Sequence, residues 1–436
     1  MAAHEGTLKI AYYGDDFTGA TDTLATAART GLRSLLFLGL PTDAQLARAG
    51  PLDCLGIAGA ARAMGPEEMR TELEPVGRLF ARLGAPVMHY KTCSTFDSAP
   101  EVGSIGAALR ILQPHAGNPF VPIVGGQPNL RRYCVFGNLF AGAGVSMHRL
   151  DRHPTMSRHP ITPMHEADLR RHLAAQGLAQ VAGMDYPDYA QDAEALDSQL
   201  AGLLARKPDA VLLDVAHEGH LATVGRLIWQ HAQQQRLLAA GPSSVVQALA
   251  AHWRQAGGEV GPPRIAAATG PVLVLAGSLS PVTARQVQGA SSYRQVVLDA
   301  ARLSGDAAYA RQMSERIVSL LAQGRHVLAC TSAPGPAPNG AAVDGRALAQ
   351  ASGALLARVL RAVPLRRLGI AGGDTSSLAV QALKAWGLSY AAQLAPGVAL
   401  CRLHSDEATL DGLEIMLKGG QMGGEDLFET LLHGTA

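Results

Sequence analysis

The stretch Ile10-Ala-Tyr-Tyr-Gly-Asp-Asp-Phe-Thr-Gly-Ala-Thr-Asp22 decides the fold. The residues from Leu8 to Tyr13 are mostly apolar and read as a β-strand that stops at Gly14. Two adjacent carboxylates follow, Asp15 and Asp16, then Thr18, Gly19 and Asp22; from about Ala20 the pattern is helical as far as Gly31. A strand, a tight polar turn and a helix N-terminus define an α/β unit. Its turn lies at the carboxyl end of the strand, where open α/β sheets bind ligands. A carboxylate near a helix N-terminus can be a cap stabilised by the helix dipole. One N-terminus needs one cap, so at least one of Asp15 and Asp16 is expected to serve a ligand. Paired carboxylates suit a hydroxyl-rich ligand.

Outward from that stretch the alternation repeats. Ser34–Leu38, Cys54–Ala58, Pro86–Ser94 and Phe120–Val124 read as strands; Pro66–Arg82 and Glu101–Leu112 read as helices. Residues 125–165 are rich in Gly, Pro, Arg and His, weakly periodic, and expected to be a long loop, either functional or disordered. Its histidines, His148, His153, His159 and His165, fit no zinc spacing and are expected at the surface. Regular structure resumes with a helix at Glu166–Gln176, a strand at Ala210–Asp214 and a helix from Gly219 to Gln233. Residues 251–270 are dense in turn and small residues and form the best linker. Five further strands follow, Pro271–Ala276, Val296–Leu298, His326–Thr331, Arg367–Ala371 and Leu413–Leu417, with helices starting near Thr283, at Leu378–Trp386 and at Asp426–Leu432. The expected fold is α/β in two domains, 1–250 and 271–436, each with a largely parallel sheet flanked by helices.

Length and composition agree. At 436 residues the chain exceeds one average core. A formal net charge of +1 and 5% aromatic residues argue against nucleic acid. No apolar run approaches membrane-spanning length. Cys54, Cys93, Cys134, Cys330 and Cys401 are scattered without a C-x-x-C, which fits a reducing cytoplasm.

Three turns in the second half pair small residues with a helix N-terminus: Gly277-Ser278-Leu-Ser280, Gly372-Gly373-Asp374-Thr375, and Lys418-Gly419-Gly420-Gln-Met-Gly423. Such turns present backbone N–H groups and a favourable dipole to an anion, and glycine removes the Cβ that would obstruct a phosphate. Lys418 adds a point charge. None is a Walker A loop or a dinucleotide fingerprint, which disfavours a dehydrogenase. Any one serine or threonine here is better explained as a cap; the three turns together favour phosphate. In the first half, Lys91, Ser94 and Thr95 leave one strand and Arg62 follows another. With Asp15 and Asp16 they form a plausible pocket for a hydroxylated acid.

Gly14–Asp22, Lys91-Thr-Cys-Ser-Thr-Phe-Asp-Ser98 and His159-Pro-Ile-Thr-Pro-Met164 resemble motifs of the four-carbon acid sugar kinase family. So do Gly277–Ser280 with Thr283 and Gln286, Gly372–Thr375, and Leu417–Gly423. The resemblance covers nearly the whole chain. It implies an N-terminal sugar-acid domain, a C-terminal nucleotide domain, and phosphorylation of small sugar acids by ATP with Mg2+. By it, Asp15, Asp16, Arg62, Lys91, Ser94 and Thr95 bind substrate, the carboxylate lying near Arg62 and Lys91. Ser278, Gly372, Gly373, Asp374, Thr375, Lys418, Gly419, Gly420 and Gly423 bind the nucleotide. Asp16 is the preferred base; Asp374 is second, with Mg2+ or the triphosphate as its alternative role. Ser94-Thr-Phe-Asp-Ser98 stands where many members have Ser-Thr-Leu-Arg-Gly, which points to 3-oxo acids over threonate or erythronate. The resemblance leaves room for a homo-oligomer. The rival reading is a non-catalytic sensor of a sugar acid or nucleotide.

Overall fold

The computed structural model describes residues 8–435 except 160, 254–263, 278–279 and 332–343, and leaves the side chains of Asp374 and Ser377 undescribed. Much of the expected linker and Ser278 therefore lie outside the described residues. The chain divides into two compact units, Met1–Leu35 with Thr42–Val260, and Leu36–Pro41 with Gly261–Ala436.

The first unit is built on parallel strands. In chain order the strands are β1 (Ile10–Gly14), β2 (Ser34–Phe37, shared with the second unit), β3 (Cys54–Ala58), β4 (Val87–Lys91), β5 (Pro122–Gln127), β6 (Arg132–Val135), β7 (Asn138–Ala143), β8 (Ser146–Arg149), β9 (Val181–Met184), β10 (Ala210–Asp214) and β11 (Leu237–Gly241). Seven of them pair in parallel in the order β3-β1-β4-β11-β5-β10-β9. All five residues of β1 are buried, as expected of a strand covered by helices on both faces. Their carboxyl ends share one edge, where Gly14 pairs with Lys91 and Ala58, and Gly241 with Lys91.

Residues 125–165 are not the open loop the sequence suggests. Strands β6, β7 and β8 form an antiparallel meander hung on the end of β5, followed by short 3-10 turns. The buried Asp214 carboxylate fastens it by accepting from the Phe136 N–H (2.6 Å) and Gly137 N–H (3.1 Å). Of the four histidines, His153 is buried rather than superficial, because its Nδ1 accepts the Thr155 and Met156 N–H groups. Among the described residues no cluster of His, Cys, Asp or Glu could hold a metal ion.

The second unit continues with β12 (Val272–Ala276), β13 (Arg294–Leu298), β14 (Val327–Thr331), β15 (Arg367–Ala371), β16 (Ala385–Ala395), β17 (Val398–Ser405) and β18 (Glu414–Lys418). The order β13-β14-β12-β15-β18 is parallel, and β17 and β16 extend it antiparallel, with Leu36 and Phe37 pairing at the far edge. The hairpin β16–β17 corrects the expected helix Leu378–Trp386. The helix is Gly373–Ala382, and Trp386 lies in β16. Val272, Val274, Leu328, Met416 and Phe428 lie in this unit's core. Among the described residues no helix is long and apolar enough to cross a membrane.

Candidate active site

At the carboxyl edge of the first sheet the chain turns from β1 into the helix Phe17–Arg29. Asp16 is the N-cap, its Oδ1 accepting the Gly19 N–H at 3.1 Å. Capping is therefore real, and it uses one oxygen. Arg62, in the 3-10 turn after β3, closes a fork on Asp15, with Nε 3.1 Å from Oδ2 and Nη2 2.7 Å from Oδ1. The same Nη2 donates to Asp16 Oδ1 at 2.7 Å, and Lys91 Nζ lies 3.8 Å from that oxygen. Two carboxylates and two cations thus form one charge-balanced lattice, and Asp16 Oδ2 receives none of these donors. Backbone bonds fix its base: Asp15 N–H donates to the Lys91 carbonyl and Arg62 N–H to the Asp15 carbonyl, both at 3.0 Å.

The environment separates the two acids. Burial pushes Asp15 up in pKa against the pull of Arg62 and Lys91. Burial acts on Asp16 in the same sense, but Arg62, Lys91 and the Gly19 N–H outweigh it and hold the carboxyl below its ordinary range. Gly19 is required here, since a Cβ on it would collide with Lys91 Nζ and Asp16 Oδ1.

Ser94 and Thr95 follow β4 into the same edge. Thr95 is buried and donates to Asp97 Oδ1 at 2.6 Å, so its hydroxyl proton is committed, while Ser94 is half-buried. Asp97 was not among the residues singled out, although it lies inside the Lys91–Ser98 motif. Another unassigned group joins sequence-distant residues: Ser243 Oγ donates to Asp22 Oδ2 at 2.5 Å, and Gln127 Nε2 approaches the same oxygen at 3.4 Å. Only tertiary structure brings Asp22 and Ser243 together. The Thr18 hydroxyl, in the first turn of helix Phe17–Arg29, is buried and has no hydrogen-bond partner among the described residues.

In the second unit, β12, β15 and β18 are neighbours, so their three following turns meet at one edge. Gly372 has φ +129°, a conformation that demands glycine, and its N–H donates to the Lys418 carbonyl at 2.9 Å. A Cβ on Gly277 would strike the buried Thr375 hydroxyl, which ties the first turn to the second. The last turn is pinned from helix Pro281–Gly289: Gln286 Nε2 donates to the carbonyls of Met422, Gly423 and Gly424 at 3.0, 3.2 and 2.8 Å. Ser280 and Thr283 hydroxyls donate to the Gly420 carbonyl.

Lys418 is completely buried at the end of β18. Its Nζ donates to Thr283 Oγ1 at 2.9 Å and approaches the Gly420 carbonyl at 3.4 Å; among the described residues no carboxylate pairs with it. Burial lowers its pKa to about 8. Such a cation, among neutral oxygens beside Gly419, Gly420 and Gly423, fits a phosphate. Gly373 is exposed, and a Cβ there would meet no atom of the described residues within 4 Å. Asp374 lies in the first turn of helix Gly373–Ala382, its side chain outside the described residues.

Two family models match the chain. The model of a sugar-binding N-terminal domain matches residues 10–249, and that of a nucleotide-binding C-terminal domain matches residues 273–428. The chain is 41% identical to the 3-oxo-isoapionate kinase of Paraburkholderia graminis, over 98% of this chain and 94% of that protein. It is 31% identical to the 3-oxo-tetronate kinase of Methylobacterium radiotolerans, over 97% and 98% of the two chains. Solved structures of proteins from Salmonella typhimurium LT2 and Haemophilus influenzae share the fold, with TM-scores of 0.80 and 0.74, each at 24% identity over 97% of this chain and 98% of the other. The two domain models and the kinase relatives together define a phosphotransferase with a sugar-binding and a nucleotide-binding domain. The chain belongs to the four-carbon acid sugar kinase family, and its enzyme class is that of a sugar-acid kinase.

Proposed function

We propose that the protein transfers the γ-phosphoryl group of ATP, taken as its magnesium complex, to a hydroxyl of a small 3-oxo sugar acid of the 3-oxo-isoapionate or 3-oxo-tetronate type. The lattice of Asp15, Asp16, Arg62 and Lys91 carries this reading. It places ionised oxygens at a sheet edge while its own cations balance their charge, an arrangement that accepts hydrogen bonds from hydroxyl groups. The sugar acid binds there, beside Ser94 and Thr95. ATP binds the second unit, its phosphates against Lys418, the Gly372–Thr375 turn and Gly419, Gly420 and Gly423, with Ser278 adjoining in sequence. Magnesium arrives with the nucleotide, since Mg2+ commonly takes phosphate oxygens and water for most of its ligands.

Transfer forms a bond between the substrate oxygen and the γ-phosphorus and breaks the bond to the ADP oxygen. Asp16 takes the hydroxyl proton through Oδ2, the oxygen outside the lattice. Charge neutralisation and alignment contribute more than covalent help in such reactions. Asp374 is the alternative base or a magnesium contact. The five cysteines are all unpaired, which supports a reducing compartment such as the cytoplasm.

A coupled ATP-turnover assay over 3-oxo-isoapionate, 3-oxo-tetronate, threonate and erythronate tests the assignment. Turnover is expected to be highest with a 3-oxo acid. Higher turnover with threonate or erythronate would move the substrate class. Binding of acid and ATP without turnover would favour the sensor.

A further inference from the structure

Arg132 opens β6 opposite Gln127, the last residue of β5, which brings it to the carboxyl edge that also carries Asp15 and Lys91. Its Nε is shielded from solvent and donates to nothing among the described residues. Its side chain makes one hydrogen bond, from Nη1 to the Leu130 carbonyl at 2.6 Å. No carboxylate of the described residues reaches ion-pair distance of the guanidinium. Burial lowers its pKa, and the opposing influences come from Cys93 and Asp97, both within the Lys91–Ser98 motif. Burial pushes the Cys93 thiol up to about 11, so it is neutral at pH 7, and Asp97 already accepts the Thr95 hydroxyl.

Arg62 offers a contrast. Its fork is filled by Asp15 and Asp16, and Lys91 leans on Asp16. A planar guanidinium with an unused, desolvated N–H calls for a planar anion. We propose that Arg132 binds the substrate carboxylate, while Arg62 and Lys91 act chiefly as counter-charges that hold Asp15 and Asp16 for the substrate hydroxyls. This rests on the sugar-acid reading above.

Arg132→Gln and Arg132→Lys are compared with the unaltered protein by calorimetry, with 3-oxo-tetronate and with erythrulose, in which a hydroxymethyl group replaces the carboxylate. Turnover of the acid and thermal unfolding are recorded in parallel. The unaltered protein is expected to prefer the acid. Arg132→Gln should weaken acid binding about thirtyfold or more, the scale of a lost buried charge partner. Erythrulose affinity should stay constant, and Arg132→Lys should recover part of the preference. An undiminished preference for the acid in folded Arg132→Gln overturns the proposal, as does equal weakening of both ligands. If the unaltered protein binds the acid through Arg132 but does not turn it over, the catalytic reading fails and the binding assignment stands. If it binds no acid, both fail.

Discussion

The turn after β1 and the turn after β18 each leave the carboxyl end of a strand and solve opposite electrostatic problems. After β1, Asp15 and Asp16 meet Arg62 and Lys91 at distances of 2.7–3.8 Å, and the four charges cancel. After β18, Lys418 is wholly buried among neutral oxygens, and among the described residues no carboxylate balances its charge. A buried ion without a counter-ion is costly. A balanced lattice can afford a ligand that brings hydroxyls; an unbalanced cation requires one that brings negative charge. On the function proposed above, the two turns divide polyol and polyphosphate between the two units.

Breaking the balance at the first turn gives the largest expected effect. Asp16→Asn keeps the shape and the cap while removing the charge. If Asp16 is the base, turnover should fall by roughly a hundredfold or more, the scale of general-base catalysis. ATP affinity should not change. Near-normal turnover in the folded variant would remove Asp16 from the chemistry and leave it a cap.

The second turn is tested through Gly373. A Cβ there meets no atom of the described residues within 4 Å, and the residue's φ is not in the left-handed region, so thermal stability should hold. If phosphate occupies that open space, ATP affinity should drop by about tenfold or more, that is about 1.4 kcal/mol or more. Sugar-acid affinity should persist. Parallel loss of both ligands with a lowered unfolding temperature would make Gly373 a folding glycine, and full ATP affinity would place the nucleotide elsewhere.

How legible this comparison was depended on burial. Cys54–Ala58, Ala210–Asp214 and Arg367–Ala371 have the expected bounds, because strands buried on both faces are short apolar runs closed by turn residues. The meander β6–β8 escaped detection because its strands are short and half-exposed, and Arg, His and Gly blur their alternation. Leu237–Gly241 went unmarked because Leu and Ala favour helix as readily as strand. At the site, the residue types of Asp15, Asp16, Arg62 and Lys91 pointed to one sheet edge, and the structure brings all four together. Their pairing was not visible: the sequence reading left Arg62 free for a carboxylate, whereas its fork faces Asp15. Such pairings, like that of Asp22 with Ser243, depend on side-chain geometry across distant segments.

The smallest effect, and the one that sharpens the comparison most, is a pH dependence peculiar to Lys418. Burial sets its pKa near 8 in the ligand-free protein, below the ordinary lysine value of 10.5. An apposed phosphate favours the charged form and should raise that pKa. ATP affinity should therefore be full below about pH 8 and fall as pH rises through 8, by at most about tenfold per pH unit, with proton uptake on binding. Folding stability should respond in the opposite sense. Between pH 8 and 10.5 the unfolded chain holds a proton on this lysine that the folded chain has shed, so its contribution to stability rises with pH across that window. Calorimetry in buffers of different ionisation enthalpy reads the proton uptake, and Lys418→Met isolates it from other titrating groups. The variant should bind ATP more weakly at pH 7 and lose the dependence near pH 8. An identical pH profile in both proteins would mean that Lys418 faces no phosphate, and the contrast between the two turns would then be one of packing alone.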